Sequence, residues 1–316
     1  MQNWKENLID FYRLSTLPFR AYRRRRFARS GSTPVHMLFY HRVSDSHSNP
    51  WTIGCRQFEA QLDWLGERFR FVSLAEAQQI IASGNNSESV VSITMDDGYA
   101  ENLEFAIPLM LERRIPLTYF VSTDHVIYQQ PFPHDILRGQ PLPVNSLQSI
   151  VDMANAGIEI GSHTRHHSDL GRITDKEQLY SELIDCSRDF EQRIGFPIRY
   201  FAFPYGQKVN LNKDAFRLLQ KHGFLGACTT LPGFNAIGES WFELNRLHGD
   251  PSLARIKNWL DYDIRGGAGE KYYTEWKAGD ENLCESYGDR FSDRKLPLLL
   301  HSDTNSSNPN CVTAEH

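Results

Sequence analysis

The chain has 316 residues, 40% hydrophobic and 12% aromatic, enough apolar material for one α/β domain with appended ends. Its net charge of -5 is mild and gives no reason to expect a nucleic-acid partner. The five cysteines are odd in number and form no Cys-x-x-Cys pair, which argues against a disulfide framework or a cysteine zinc site and fits a reducing, cytoplasmic compartment.

Residues 1–30 carry Lys5, Arg13, Arg20, Arg23, Arg24, Arg25, Arg26 and Arg29 against Glu6 and Asp10, a net charge of +6. Trp4, Leu8, Phe11, Tyr12, Leu14 and Phe19 interleave with these cations. The pattern fits a helix lying on an anionic inner-membrane surface, or equally a solvated basic arm. The arginines follow the apolar residues, the reverse of a secretory signal, and no stretch approaches the ~18 apolar residues of a membrane span. Residues 1–32 are therefore expected to form a basic amphipathic arm on a cytoplasmic protein, with peripheral membrane contact.

From residue 33 the pattern alternates. A strand at 35–40 ends at His41; Phe58, Leu62 and Leu65 mark a helix; a short strand at 69–72 and a helix at 75–82 follow. After a polar turn at 84–89, the β-branched run from Val90 to Met95 ends abruptly in Asp96-Asp97-Gly98, with a helix expected at 101–113. A strand at 116–122 leads into a Pro- and Gly-rich stretch at 128–143, which has no period and is long enough to suggest a substrate rim. Next come a helix at 147–156 and a strand at 158–162 that delivers His163-Thr164-Arg165-His166-His167. A helix at 174–193 opens on a Thr174/Glu177 capping box. A strand at 199–203 ends in Pro204-Tyr205-Gly206, followed by a helix at 213–222, strands at 224–229 and 242–247, and a helix at 252–260.

Such alternation implies parallel strands joined by right-handed crossovers, and about seven strands favour an α/β fold closed into a distorted (β/α)7-type barrel over an open sheet. The catalytic domain is expected at 33–264. Beyond it, 265–316 reads as an irregular segment and flexible tail, with one late strand at 296–300 before His301.

Two adjacent aspartates at a strand end point in different directions, so one can hold a metal while the other accepts a proton. An N-cap would explain one of them, but the second crowds a like charge against it. His163 and His167 have the four-residue spacing of paired metal ligands, although loop histidines also arise that merely hydrogen-bond. Both motifs start where a strand ends, so in a barrel they converge on one face. Two histidines and a carboxylate leave open positions, as catalytic metals require. His166 points elsewhere.

These residues resemble the polysaccharide deacetylase family, also called the NodB homology or carbohydrate esterase family 4 domain. Thr94-Met95-Asp96-Asp97-Gly98 matches its Thr-Phe-Asp-Asp-Gly motif with Met for Phe; His163 to His167 matches the second motif; Arg199 through Pro204 and Gly206 matches the third. Tyr40-His41-Arg42-Val43 resembles the opening of many bacterial members. The resemblance implies that Asp96 is the general base, that Asp97, His163 and His167 bind a divalent metal, usually zinc, that Arg199 orients Asp96, and that the Tyr205 N–H helps hold the oxyanion. His41, Pro204, Gly206 and Arg246 are expected around the substrate. The fourth motif is replaced by Glu243-Leu244-Asn245-Arg246-Leu247-His248, and the general acid falls to His301, in Leu299-Leu300-His301, or to His248, with His41 a rival. The implied activity is removal of an N-acetyl or N-formyl group from an amino sugar of a glycan or glycan precursor. A sugar-binding protein without turnover and a carbohydrate O-acetyl esterase stay open as alternatives.

Overall fold

Short β-branched and aromatic runs become the buried strands, and the longer amphipathic stretches between them become helices laid around the outside. The computed structural model describes residues 3–249, 252–263 and 265–273. The strands are β1 (Val35–Tyr40), β2 (Arg42–Val43), β3 (Thr52–Ile53), β4 (Arg70–Phe71), β5 (Val90–Met95), β6 (Leu117–Val121), β7 (Glu159–Ser162), β8 (Tyr200–Ala202), β9 (Gly226–Thr229), β10 (Glu243–Asn245) and β11 (Leu247–His248). The helices are α1 (Asn3–Ser15), α2 (Leu17–Arg29), α3 (Cys55–Gly66), α4 (Leu74–Ala82), α5 (Ala106–Glu112), α6 (Thr123–Tyr128), α7 (Pro133–Leu137), α8 (Leu147–Asn155), α9 (Lys176–Tyr180), α10 (Cys186–Ile194), α11 (Lys213–Lys221) and α12 (Leu253–Leu260).

The main sheet runs β10-β9-β8-β7-β6-β5-β1-β11, with parallel pairing throughout. β10 and β11 are two halves of one stretch, interrupted at Arg246. The first half pairs with β9 and the second with β1, so this stretch brings the sheet back on itself as a nearly closed seven-position barrel. Closure is partial, because β11 meets β1 only at Leu38 and Phe39. Below that seam Val35 exchanges backbone hydrogen bonds with Asn235 instead (3.0 and 2.9 Å).

Three local expectations shift. The helix expected at 101–113 splits into a 3-10 turn at Ala100–Leu103 and α5. Pro108 has no N–H to bond back to residue 104, so it is accommodated in the first turn of a helix that starts at Ala106. The helix expected at 174–193 carries a π-turn at Ser181–Asp185 between α9 and α10, and its cap is Asp175, whose carboxylate accepts from the Gln178 N–H (2.7 Å), rather than Thr174. The stretch at 128–143 is not wholly irregular, since it contains α7 around the buried Phe132.

Helices α1 and α2 do not stand free. Arg20 is fully buried, with its guanidinium donating to the Asn258 side chain (2.7 Å) and to the carbonyls of Asn258 and Asp261 (3.0 and 3.1 Å). Arg13 pairs with Asp261 (3.0 Å) and Tyr12 donates to Asp263 (3.0 Å), so one side of the hairpin is bound to α12 and the turn after it. Among the described residues no helix is long and apolar enough to cross a membrane. The expected strand at 296–300, His301 and the tail lie outside the described residues.

Helix α4 packs at the barrel end where the parallel strands begin. Its buried Gln78 donates to the carbonyls of Leu225 (2.7 Å) and Trp241 (2.9 Å) and accepts from the Tyr200 hydroxyl (2.8 Å). These bonds satisfy groups that the parallel strands leave unpaired at their N-terminal ends. Gln78→Leu keeps the approximate size but strands all three partners. It should lower unfolding free energy by about 3 kcal/mol in urea denaturation, and a change within about 0.5 kcal/mol would refute this role.

Candidate functional site

Asp96 and Asp97 follow β5, His163 follows β7, and Tyr205 follows β8, so parallel pairing alone brings these residues to one end of the barrel. The turns that aim them are strained. Asp97, Thr164, His167 and Tyr205 have φ of 76°, 64°, 58° and 62°, and they make up half of the eight left-handed non-glycine residues among those described. Each such conformation costs on the order of 1–3 kcal/mol and persists only where its surroundings enforce it.

The enforcing contacts surround the histidine turn. The buried carboxylate of Glu182, in the π-turn, accepts from the N–H groups of Arg165 and His166 (both 3.1 Å), while the Arg165 N–H also reaches the Glu182 carbonyl (3.2 Å). The Thr123 and Asp124 N–H groups bond the carbonyls of Thr164 and Arg165 (3.1 and 3.0 Å). Inserting one residue into the helix thus turns a glutamate inward to hold the backbone between the two histidines.

Asp97, His163 and His167 offer ligand atoms that all lie within 4.8 Å of one another. Asp97 Oδ1 is 3.4 Å from His163 Nε2 and 3.3 Å from His167 Nε2. His163 Nδ1–H donates to the Ala202 carbonyl (2.7 Å), which fixes the tautomer and leaves the Nε2 lone pair facing the carboxylate. Asp97 Oδ1 is buried without a hydrogen-bond partner among the described residues. Burial alone would push the Asp97 carboxyl up, but His167 and His163 outweigh it and hold the group well below the ordinary range. A buried anionic oxygen facing two imidazole nitrogens is the donor set a divalent cation requires.

Asp96 is held quite differently. Arg246, fully buried, grips both of its oxygens (Nη1 to Oδ1 2.7 Å, Nη2 to Oδ2 2.8 Å). The guanidinium also donates to Thr94 Oγ1 (2.9 Å) and the Thr229 carbonyl (3.3 Å), and lies over the rings of Phe39 (4.9 Å) and Phe120 (5.4 Å). Arg246 sits at the interruption between β10 and β11, so the residue that breaks the closing strand also points into the barrel at the base.

Two role assignments from the sequence are corrected. Arg199 does not orient Asp96. It precedes β8 and pairs with Glu159 at the start of β7, the far end of the strands. Arg246 supplies that clamp instead, with its donors committed to Asp96, Thr94 and Thr229 rather than to substrate. Pro204 and Gly206 are buried in the turn and shape it, while the half-exposed Tyr205 faces the cleft against His167, with rings 5.0 Å apart. His166 is turned outward to Glu182 and Asp124.

His41 and His248 stand beside the carboxylates with rings 5.9 Å apart. Burial pushes the His41 imidazole below its ordinary value, against the pull of Asp97 and Asp96, and its buried Nδ1 has no partner among the described residues. His301 lies outside the described residues. A cleft of about 1280 Å³ opens over this group, with His134 and Arg138 from the 128–143 stretch on its rim.

Residues 83–227 match the polysaccharide deacetylase family. The chain is similar to that family over 145 of its 316 residues. It is 24% identical over 220 residues to YxkH of Bacillus subtilis, named as a polysaccharide deacetylase, covering 69% of this chain and 72% of that protein. It is 22% identical over 198 residues to a poly-β-1,6-N-acetyl-D-glucosamine N-deacetylase of Staphylococcus aureus, covering 60% of this chain and 64% of that relative, just under two thirds of its length. In fold it is similar to IcaB from Ammonifex degensii, with a TM-score of 0.60 at 24% identity over 73% of this chain and 97% of that one.

Glu182 and the clamp role of Arg246 were not among the expected site residues. An arginine inside the expected 242–247 strand was a usable signal, because a buried cation demands a buried anion. Glu182 gave none, since a glutamate is unremarkable in a helix until the π-turn rotates it inward. Glu182→Gln should weaken zinc binding about 10–100-fold by calorimetry while leaving the circular dichroism spectrum unchanged, and unaltered zinc affinity would remove Glu182 from the support of the site.

Proposed function

We propose that this chain is a metal-dependent hydrolase that removes an N-acyl group, acetyl or formyl, from an amino sugar, with the chemistry carried by residues 33–264. The observation that carries this reading is the division of labour between adjacent aspartates. Asp97 presents an unpartnered oxygen to the imidazoles of His163 and His167, while both oxygens of Asp96 are gripped by Arg246. The name of the staphylococcal relative supports an N-acetylated amino sugar as the substrate class.

Asp97, His163 and His167 would hold the cation, and the donor set favours zinc. When bound, such a cation polarises the amide carbonyl and acidifies a water molecule. Asp96 takes the proton from the attacking water. Arg246 fixes its orientation and balances its buried charge, while each carboxylate oxygen keeps a lone pair for the incoming proton. The backbone N–H of Tyr205, held outward by the left-handed turn, is our assignment for the carbonyl oxygen as it gains charge. His41 is our assignment for delivering a proton to the leaving nitrogen. It lies in the field of both aspartates, and burial favours its neutral resting form, so the proton it passes to the nitrogen is the one Asp96 takes from the water.

Arg13, Arg20 and Arg23 are committed to residues 258–266, but Lys5, Arg24, Arg25, Arg26 and Arg29 remain exposed on α1 and α2, together with Trp4, Leu8, Phe11 and Leu14. This combination supports peripheral attachment to an anionic inner-membrane surface, each basic residue contributing on the order of 1 kcal/mol.

Asp96→Asn should keep stoichiometric zinc and lose about two to four orders of magnitude in acetate release from N-acetylated amino sugars, because an amide preserves the shape but cannot accept the proton. Near-normal turnover would remove Asp96 from the mechanism. Among His41→Ala, His248→Ala and His301→Ala, the first should show the largest fall in kcat, about 100-fold or more, with zinc retained. If the loss falls on either of the others alone, the proton donor belongs there.

A further inference from the structure

The cleft does not end at the aspartates. It continues from Asp96, Asp97 and His167 past Leu247 and His248 to Phe234, Trp259 and the 266–268 stretch. At about 1280 Å³ it exceeds the ~300–1,000 Å³ typical of a site for one small ligand. Its far half passes the seam where β11 stops and the lower half of β1 loses its neighbour.

That half is poorly suited to sugar hydroxyls. Leu231, Phe234, Leu247 and Trp259 line it, and the imidazole of His36, edge-on to Phe234 (6.1 Å), has neither ring nitrogen hydrogen-bonded among the described residues. Several of the charged and amide groups there are already engaged: Asn258 with Arg20 (2.7 Å), Asp263 with Arg265 (2.8 Å) and Tyr12 (3.0 Å), and Lys208 with Glu270 (2.6 Å). A glycan chain buried there would leave its hydroxyls without partners. The far end also abuts the N-terminal hairpin. Asp263 and Arg265 line the cleft and hold Tyr12 of α1, with the Arg265 guanidinium 4.2 Å above the Tyr12 ring. The opposite side of that hairpin leaves Trp4, Leu8, Phe11 and Leu14 between 58% and 70% exposed.

We propose that the substrate is an amphiphile, an N-acylated amino sugar carrying a hydrocarbon aglycone, with the N-acyl group at Asp96 and Asp97 and the chain lying in the far half of the cleft toward the α1–α2 hairpin. This rests on the deacetylase reading and adds the class of molecule that bears the sugar. The hairpin then brings the end of the cleft to the surface from which such a molecule is drawn.

Gly267 provides the test. A Cβ built there meets nothing within 4 Å and its φ is not left-handed, so Gly267→Trp fills the far half without backbone strain. Zinc-loaded protein is compared on the octyl and methyl β-glycosides of N-acetylglucosamine, below the octyl compound's micelle concentration, and on soluble N-acetylglucosamine oligomers. Each buried CH2 is worth about fourfold in affinity, so kcat/KM for the octyl glycoside should exceed that for the methyl glycoside by about 30-fold or more. Gly267→Trp should bring the ratio near one with the methyl glycoside unaffected, and Trp259→Glu, at a partly exposed position, should do the same by placing a charge in the groove. A wild-type ratio near one, a ratio unmoved in both variants, or a preference for longer oligomers over the octyl glycoside overturns the proposal. Calorimetric binding of the octyl glycoside decides it independently of turnover. Binding lost in the variants supports the amphiphile even if no acetate is released, in which case only the deacetylase reading fails; no binding to wild type overturns it.

Discussion

The Arg246–Asp96 pair is the constraint on which the site depends. A fully buried guanidinium is tolerable only when its charge and donors are met, and here a carboxylate, a hydroxyl, a carbonyl and two aromatic faces meet them. Removing either partner would leave an uncompensated charge inside the barrel, at a cost of about 3–5 kcal/mol. The pair therefore couples two things that the sequence keeps 150 residues apart: closure of the barrel through the interrupted strand at 243–248, and the orientation of the carboxylate beside the Asp97, His163 and His167 cluster.

Around that pair the fold holds strain where chemistry is needed. Positive φ at Asp97, Thr164, His167 and Tyr205 turns side chains or N–H groups into the cleft that an ordinary turn would direct elsewhere. The π-turn that rotates Glu182 inward stabilises the histidine turn from behind, and Ala202 does the same for His163 through its carbonyl. The Asp97, His163 and His167 cluster is thus held from three separate strands and one helix, which is how parallel barrels build precise sites from loops.

Much of this was legible in the sequence. Alternating apolar runs revealed the parallel barrel because period and length are local properties, and the Asp pair and the histidine spacing pointed to one clustered candidate site because each motif sits where a strand ends. Arg199 misled, since its fixed distance from Pro204 says nothing about which end of a three-residue strand its side chain occupies; it lies at the end away from the chemistry, paired with Glu159. Arg246 was visible but given the wrong role, because deciding between a substrate contact and a buried counter-ion requires knowing that the strand folds over Asp96. The basic N-terminal stretch was legible as amphipathic, yet the docking of Arg20 on Asn258 depends on a contact 238 residues away that no local pattern encodes.

The central claim is that adjacent aspartates do different jobs, one a metal ligand and the other a base held by arginine. An anomalous-diffraction map of zinc-loaded crystals tests it most directly. The account predicts one zinc peak coordinated by Asp97 and the Nε2 atoms of His163 and His167, with Asp96 still paired to Arg246 and outside the coordination shell. A zinc ion bound through Asp96, or one that sits elsewhere in the cleft, would contradict it.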